Sequence, residues 1–139
     1  MNPSNTKVYY LASPYSHSSK SVQENRRMFI TQVAAKLKTQ HDLTLICPIT
    51  QSAEIVKYMP EPDSSGKFST WQKDDLLFID ISHGVIVCLM EGWHKSVGVT
   101  AEINHARANN KDIFYYCPHR EEFYTVEEFH KIKNKFIKD

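Results

Sequence analysis

Two acidic residues in this sequence stand where a helix ought to be apolar. In "SVGVTAEINHA", Ser96 to Ala106, the positions Val99, Ile103 and Ala106 follow helical spacing and share one face. Glu102 lies three residues after Val99 and four before Ala106, so it projects with them toward the interior. In "STWQKDDLLFIDIS", Trp71, Asp75, Phe78 and Ser82 share a face in the same way. A carboxylate taken out of water is costly unless something pairs with it or donates hydrogen bonds to it. Either residue alone could be a salt-bridge partner at a core edge. Two of them, on helices that flank one buried strand, equip a site for nucleophilic and acid–base work. Paired carboxylates are what cleavage of a glycosidic bond uses.

Around this pair stand other polar candidates. The loop "SPYSHSS" offers the hydroxyls of Ser13, Tyr15, Ser16, Ser18 and Ser19. It contains no glycine, so it is neither a phosphate-cradling loop nor a dinucleotide fingerprint. Ser96 and Gly98, where the Glu102 helix starts, form a better anion site, because free backbone N–H groups and the positive end of the helix dipole meet there. Trp93, in "EGWHK", can stack on a ring or pack beneath its own loop. The seven histidines show no paired metal-ligand spacing, and "CPH" at Cys117–His119 is too isolated for a zinc site. No metal and no cofactor is expected. The three cysteines, Cys47, Cys88 and Cys117, are odd in number and widely spaced, which fits free thiols in apolar strands.

The elements that must position these residues alternate. Lys7–Ala12 reads as a first strand, and a helix follows from Ser21, where "SVQE" has the pattern of a capping box. Leu43–Pro48 is a second strand, followed by a short helix before Pro60 and a turn-rich "PEPDSSGK". A helix from Ser69 to about Ser82, again opened by a box in "STWQ", leads to the buried strand Gly84–Met90. The Glu102 helix, Val97 to Asn109, a fourth strand, Asp112–Cys117, and a last helix capped at Thr125 by "TVEE" complete the chain. Strands alternating with helices imply a single doubly wound α/β domain over residues 1–139, Rossmann-like or flavodoxin-like, with a parallel sheet of four to five strands. Ligands of such folds bind beyond the carboxyl ends of the strands. The loops after Ala12, Pro48 and Met90 would line that crevice.

The chain has 139 residues, 24% of them charged, with a net charge of +1, so composition gives no support to a nucleic-acid polymer or a membrane surface as partner. No apolar run approaches the roughly 20 residues that span a bilayer, and "MNPSNTK" lacks the apolar core of a signal peptide. A cytoplasmic protein is expected.

"YYLASPYS", "WQKDDLLFIDIS" and "GVIVCLMEGWHKSVGVTAE" together resemble the nucleoside 2-deoxyribosyltransferase superfamily over Val8 to Tyr116. The likeness is to its small members, near the 2′-deoxynucleoside 5′-monophosphate N-glycosidases. It implies a nucleoside or nucleotide substrate, no cofactor, and a homodimer or larger homo-oligomer. It puts the family's nucleophilic glutamate at Glu102 and its base-orienting aspartate at Asp75. The family's first-strand tyrosine falls on Tyr9 and its loop serine on Ser13. Ser96, six residues before Glu102, matches a phosphate-binding serine of the nucleotide-cleaving branch, where the transferases tend to carry aspartate. Tyr15 departs from that branch, which has arginine there, so Arg26 or Lys95 is left to supply positive charge, unless a neighbouring subunit does. The reading is thus an N-glycosidase of a nucleoside 5′-monophosphate. Its alternatives are a deoxyribosyl transferase between bases and a non-catalytic nucleotide-binding module.

Overall fold

The computed structural model describes residues 2–60 and 68–137. A single five-stranded sheet runs through them: β1 (Val8–Ala12), β2 (Thr44–Ile46), β3 (Gly84–Cys88), β4 (Asp112–Cys117) and β5 (Glu122–Thr125), in spatial order β2-β1-β3-β4-β5. The first four are mutually parallel, whereas β5 runs antiparallel to β4. Between and after the strands lie α1 (Lys20–His41), α2 (Pro48–Ile55), α3 (Phe68–Ile81), α4 (Val97–Ala108) and α5 (Val126–Ile132). The fold is α/β and Rossmann-like, as expected, and no described helix is long and apolar enough to cross a membrane.

Alternation along the strands builds two cores. Tyr9 and Leu11 face the side covered by α1, where Ile30, Val33 and Leu37 close on Ile86, Cys88 and Phe114. Tyr10 and Ala12 face the other side, where Ile79, Val99, Ala106 and Phe129 pack from α3, α4 and α5. Every residue of β3 is buried, as a central strand covered on both faces requires. Gly84 opens β3 where β4 comes close: a Cβ there would stand 2.6 Å from the Asp112 carbonyl oxygen, so no larger residue fits without displacing the pair.

Several local expectations shift. The cap of α1 is Ser19, not Ser21: its hydroxyl accepts from the Val22 N–H at 3.4 Å, and Ser21 lies inside the helix. β2 stops at Ile46 because Pro48 starts α2, a position where the missing N–H costs nothing. Phe68 already belongs to α3, so Ser69 is within the helix rather than its cap. The stretch 61–67, most of the expected turn, lies outside the described residues. β5 has no counterpart in the sequence reading. Four turn residues, Pro118 to Glu121, separate "DIFYYC" from "EFYT" closely enough for a hairpin, and Glu121 takes a positive φ of 55° at the corner. The Thr125 capping box forms as expected, with both reciprocal hydrogen bonds.

Candidate active site

The strand order reverses between β1 and β3, and a cleft of about 580 Å³ opens there, beyond the carboxyl ends of the strands. The loop after β1 supplies Ser13 and Tyr15, the start of α2 supplies Pro48 and Ile49, and the start of α4 supplies Ser96 and Gly98. α3 and α4 pack side by side and bring Asp75 and Glu102 to its floor.

Glu102 is only 4% exposed. The Tyr10 phenol donates to its Oε2 at 2.5 Å, a short bond of the charge-assisted kind. The Asp75 carboxyl lies beside that of Glu102, close enough for the two to interact and for a proton to pass between them. None of the described salt bridges involves either residue. The expectation of a lysine or arginine partner therefore fails among the described residues, and a proton held by the pair would neutralise one of the two charges instead. Burial raises the Glu102 carboxyl well above its ordinary value, and the neighbouring Asp75 adds to this, while the Tyr10 hydrogen bond works in the opposite direction. Burial likewise raises Asp75 to about 6. Tyr10 is held protonated, first by burial and then by the two carboxylates, so it remains a donor. Two carboxyls that cannot both ionise, one deep and one nearer water, are the arrangement that separates acid from base within a single site.

Ser13 lines the same cleft and is nearly buried, and its hydroxyl makes no hydrogen bond among the described residues. A buried hydroxyl facing a cleft with no internal partner is free for a ligand. Ser96 caps α4 by accepting from the Val99 N–H at 3.1 Å, which leaves its own O–H to donate. Gly98 adds open backbone in the first turn, and among the described residues Lys95 is the cation on the cleft wall. Arg26 is not on that wall. Its guanidinium donates to the Ser16 carbonyl at 3.0 Å and lies against Gly92, whose φ of 86° no branched residue would tolerate. It ties the first loop to the loop after β3.

Asp75, Glu102, Ser13, Tyr15, Ser96 and Gly98 thus come together as expected, and two candidates do not. Tyr9 is on the wrong face of β1: it packs edge-on against Phe114 in the α1 core, and its hydroxyl accepts from the Ser4 N–H at 2.9 Å. The cleft tyrosine is Tyr10. A period of two puts adjacent residues on opposite faces, and with a tyrosine on each and both buried the sequence carries no signal of which face holds the carboxylates. Trp93 also falls outside the cleft. It packs edge-on against both Tyr115 and Phe129 and donates from Nε1 to the Phe136 carbonyl at 3.2 Å, an ordinary way to bury an indole. The cleft's indole is Trp71, one helical turn before Asp75. Its place on the Asp75 face of the helix was the signal that could have found it.

Among the described residues no cluster of three or more histidine, cysteine or acidic side chains is placed to hold a metal ion. No curated protein matches the chain. The model of a family described as a domain of unknown function (DUF1937) matches residues 7–117, which take in β1 through β4 and every carboxylate and hydroxyl of the cleft, and the chain belongs to that family.

Proposed function

We propose that the protein is an N-glycosidase that cleaves the base–sugar bond of a nucleoside 5′-monophosphate, preferably 2′-deoxy, with Glu102 as nucleophile. The observation that carries the reading is the Glu102 carboxyl itself: buried, lining the cleft, and held by a phenol and a second carboxyl rather than by a cation. In the empty site the pair holds one proton near neutrality. Positive charge developing at C1′ draws that proton from Glu102 to Asp75, and Asp75 passes it to the departing base. The C1′–N bond breaks as the Glu102 oxygen closes on C1′, giving a glycosyl ester, while the Tyr10 hydrogen bond steadies the remaining oxygen. Water then attacks C1′. Its proton returns to the pair, and the sugar phosphate leaves with retained configuration. Ser96, the N–H groups opening α4 and Lys95 would receive the 5′-phosphate, and Trp71 the face of the base. The same reading has the enzyme act in the cytoplasm as a homodimer. Leu77 and Ile81, one turn apart on α3 and 55% and 71% exposed, are an apolar face available for such an interface.

The test is to supply nucleosides and their 5′-monophosphates together with a labelled acceptor base. The monophosphate should be favoured by at least about tenfold in kcat/KM, or about 1.4 kcal/mol. Ser96→Ala should erode that preference through KM for the nucleotide alone. Label passing efficiently into new nucleoside would make the protein a transferase. Tight binding without base release would make it a binding module.

A further inference from the structure

A second cavity, of about 260 Å³, lies on the other side of α4. The cleft uses Gly98, Ala101 and Glu102, whereas this cavity uses Thr100, Ile103, Asn104 and Arg107, a distinct face of the same helix. Its walls have two chemistries. One is aromatic: Tyr115 and Phe129 are stacked with centroids 4.0 Å apart, and Trp93 meets Phe129 edge-on at 5.7 Å. The other is basic, with Arg107, Lys133, His94 and His130, and among the described residues no aspartate or glutamate lines the cavity.

Some of the chain's surface cations are ion-paired, and among the described residues those of this group are not. Arg27, Lys36, Lys38 and Lys57 each have a carboxylate partner, whereas among the described residues neither Arg107 nor Lys133 has one. In addition, His94 Nδ1 is buried and makes no hydrogen bond among the described residues. Like charges gathered without a counter-charge repel one another, and an orphaned buried nitrogen costs free energy, so a bound anion would relieve both. Two permanent cations with two imidazoles suit a dianion better than a single carboxylate. An aromatic floor suits a flat ring.

We propose that this cavity is a binding site for a small planar phosphate monoester, separate from the cleft and independent of the reaction assigned there. The ring lies against Trp93, Tyr115 and Phe129, and the phosphate is held by Arg107 and Lys133, with His94 contributing from Nδ1.

The sequence has two tryptophans, so in Trp71→Phe protein Trp93 is the sole indole, excited apart from the tyrosines at the red edge of the absorption, and it sits at this cavity. The experiment titrates that protein with phenyl phosphate, and separately with inorganic phosphate, phenol and benzoate. Phenyl phosphate should give a saturable change, and each of the others should bind at least about tenfold more weakly. Arg107→Gln with Lys133→Gln, both at exposed positions, should weaken phenyl phosphate by at least about tenfold while leaving the melting temperature and the response to phenol unchanged. Failure of phenyl phosphate to saturate overturns the proposal. So does phenol binding as tightly, which would mark an apolar pocket only. Undiminished phenyl phosphate binding in the double variant, the result expected if it occupies the cleft instead, overturns it as well.

Discussion

At the level of single residues, the Asp75–Glu102 pair has a pattern that a glutamine can copy. In Glu102→Gln the amide oxygen still accepts from Tyr10 and the amide nitrogen donates to the Asp75 carboxylate, the bonding of protonated Glu102. The fold should therefore hold, while base release should fall by more than about a hundredfold, a barrier increase of about 2.7 kcal/mol or more, because an amide is a very poor nucleophile. Melting curves run beside single-turnover assays separate this from a purely structural glutamate, whose loss would lower stability and spare the activity per folded molecule. The pair also sets a pH dependence. Below about 6 both carboxyls carry protons and no nucleophile exists; above it one proton remains, on the pair as a whole. kcat/KM should thus rise as pH increases through about 6, and fall again only where the last proton leaves. Asp75→Asn should abolish that limb and depress kcat more than it raises KM. An unchanged profile in this variant would remove Asp75 from the proton path.

The elements explain why the two tryptophans should behave oppositely. Trp93 is locked beneath the loop before α4 and is 7% exposed, so Trp93→Ala should cost about 3–5 kcal/mol of stability through the cavity it leaves. Trp71 is half-buried on the cleft side of α3, and Trp71→Ala should alter stability by no more than about 1 kcal/mol. Its effect should appear in KM. Denaturant melts and steady-state kinetics on both variants check the contrast, and a collapse of stability in the Trp71 variant would place that side chain in the core instead. The α4 N-terminus joins the same two concerns, since the Ser96 hydroxyl that would donate to a phosphate also caps the helix that delivers Glu102.

For the whole molecule, the carboxyl pair ties stability to pH in an uncommon direction. Folding raises Asp75 from 3.8 to about 6 and raises Glu102 well above its ordinary value. Between the unfolded and folded values the native state binds more protons than the unfolded chain, so their contribution to stability declines as pH rises. The wild-type melting temperature, referred to that of Glu102→Gln, should fall from pH 5 to pH 8, because the amide cannot lose a proton. A difference that stays constant with pH would mean that Glu102 is not raised by burial. The cost of keeping a reactive carboxyl in the interior is thereby readable in the intact protein.

The sequence by itself determined what depends on local spacing. The alternation of strand and helix, the inward faces of Glu102 and Asp75, the Thr125 capping box and the fully buried β3 all follow from periodicities that the chain carries within ten or so residues. It also placed the crevice at the loops after β1, β2 and β3, since the carboxyl ends of parallel strands lie together. Only the tertiary structure decided the rest. Tyr9 and Tyr10 are equally buried and adjacent, so choosing between them requires knowing which face of the sheet α3 and α4 cover. Trp71 and Trp93 exchange roles because one helix face opens on the cleft while a loop folds under α4 and α5. The partner of Glu102 is a phenol 92 residues away in sequence, and no local pattern encodes a contact that exists only once the sheet has closed the chain upon itself.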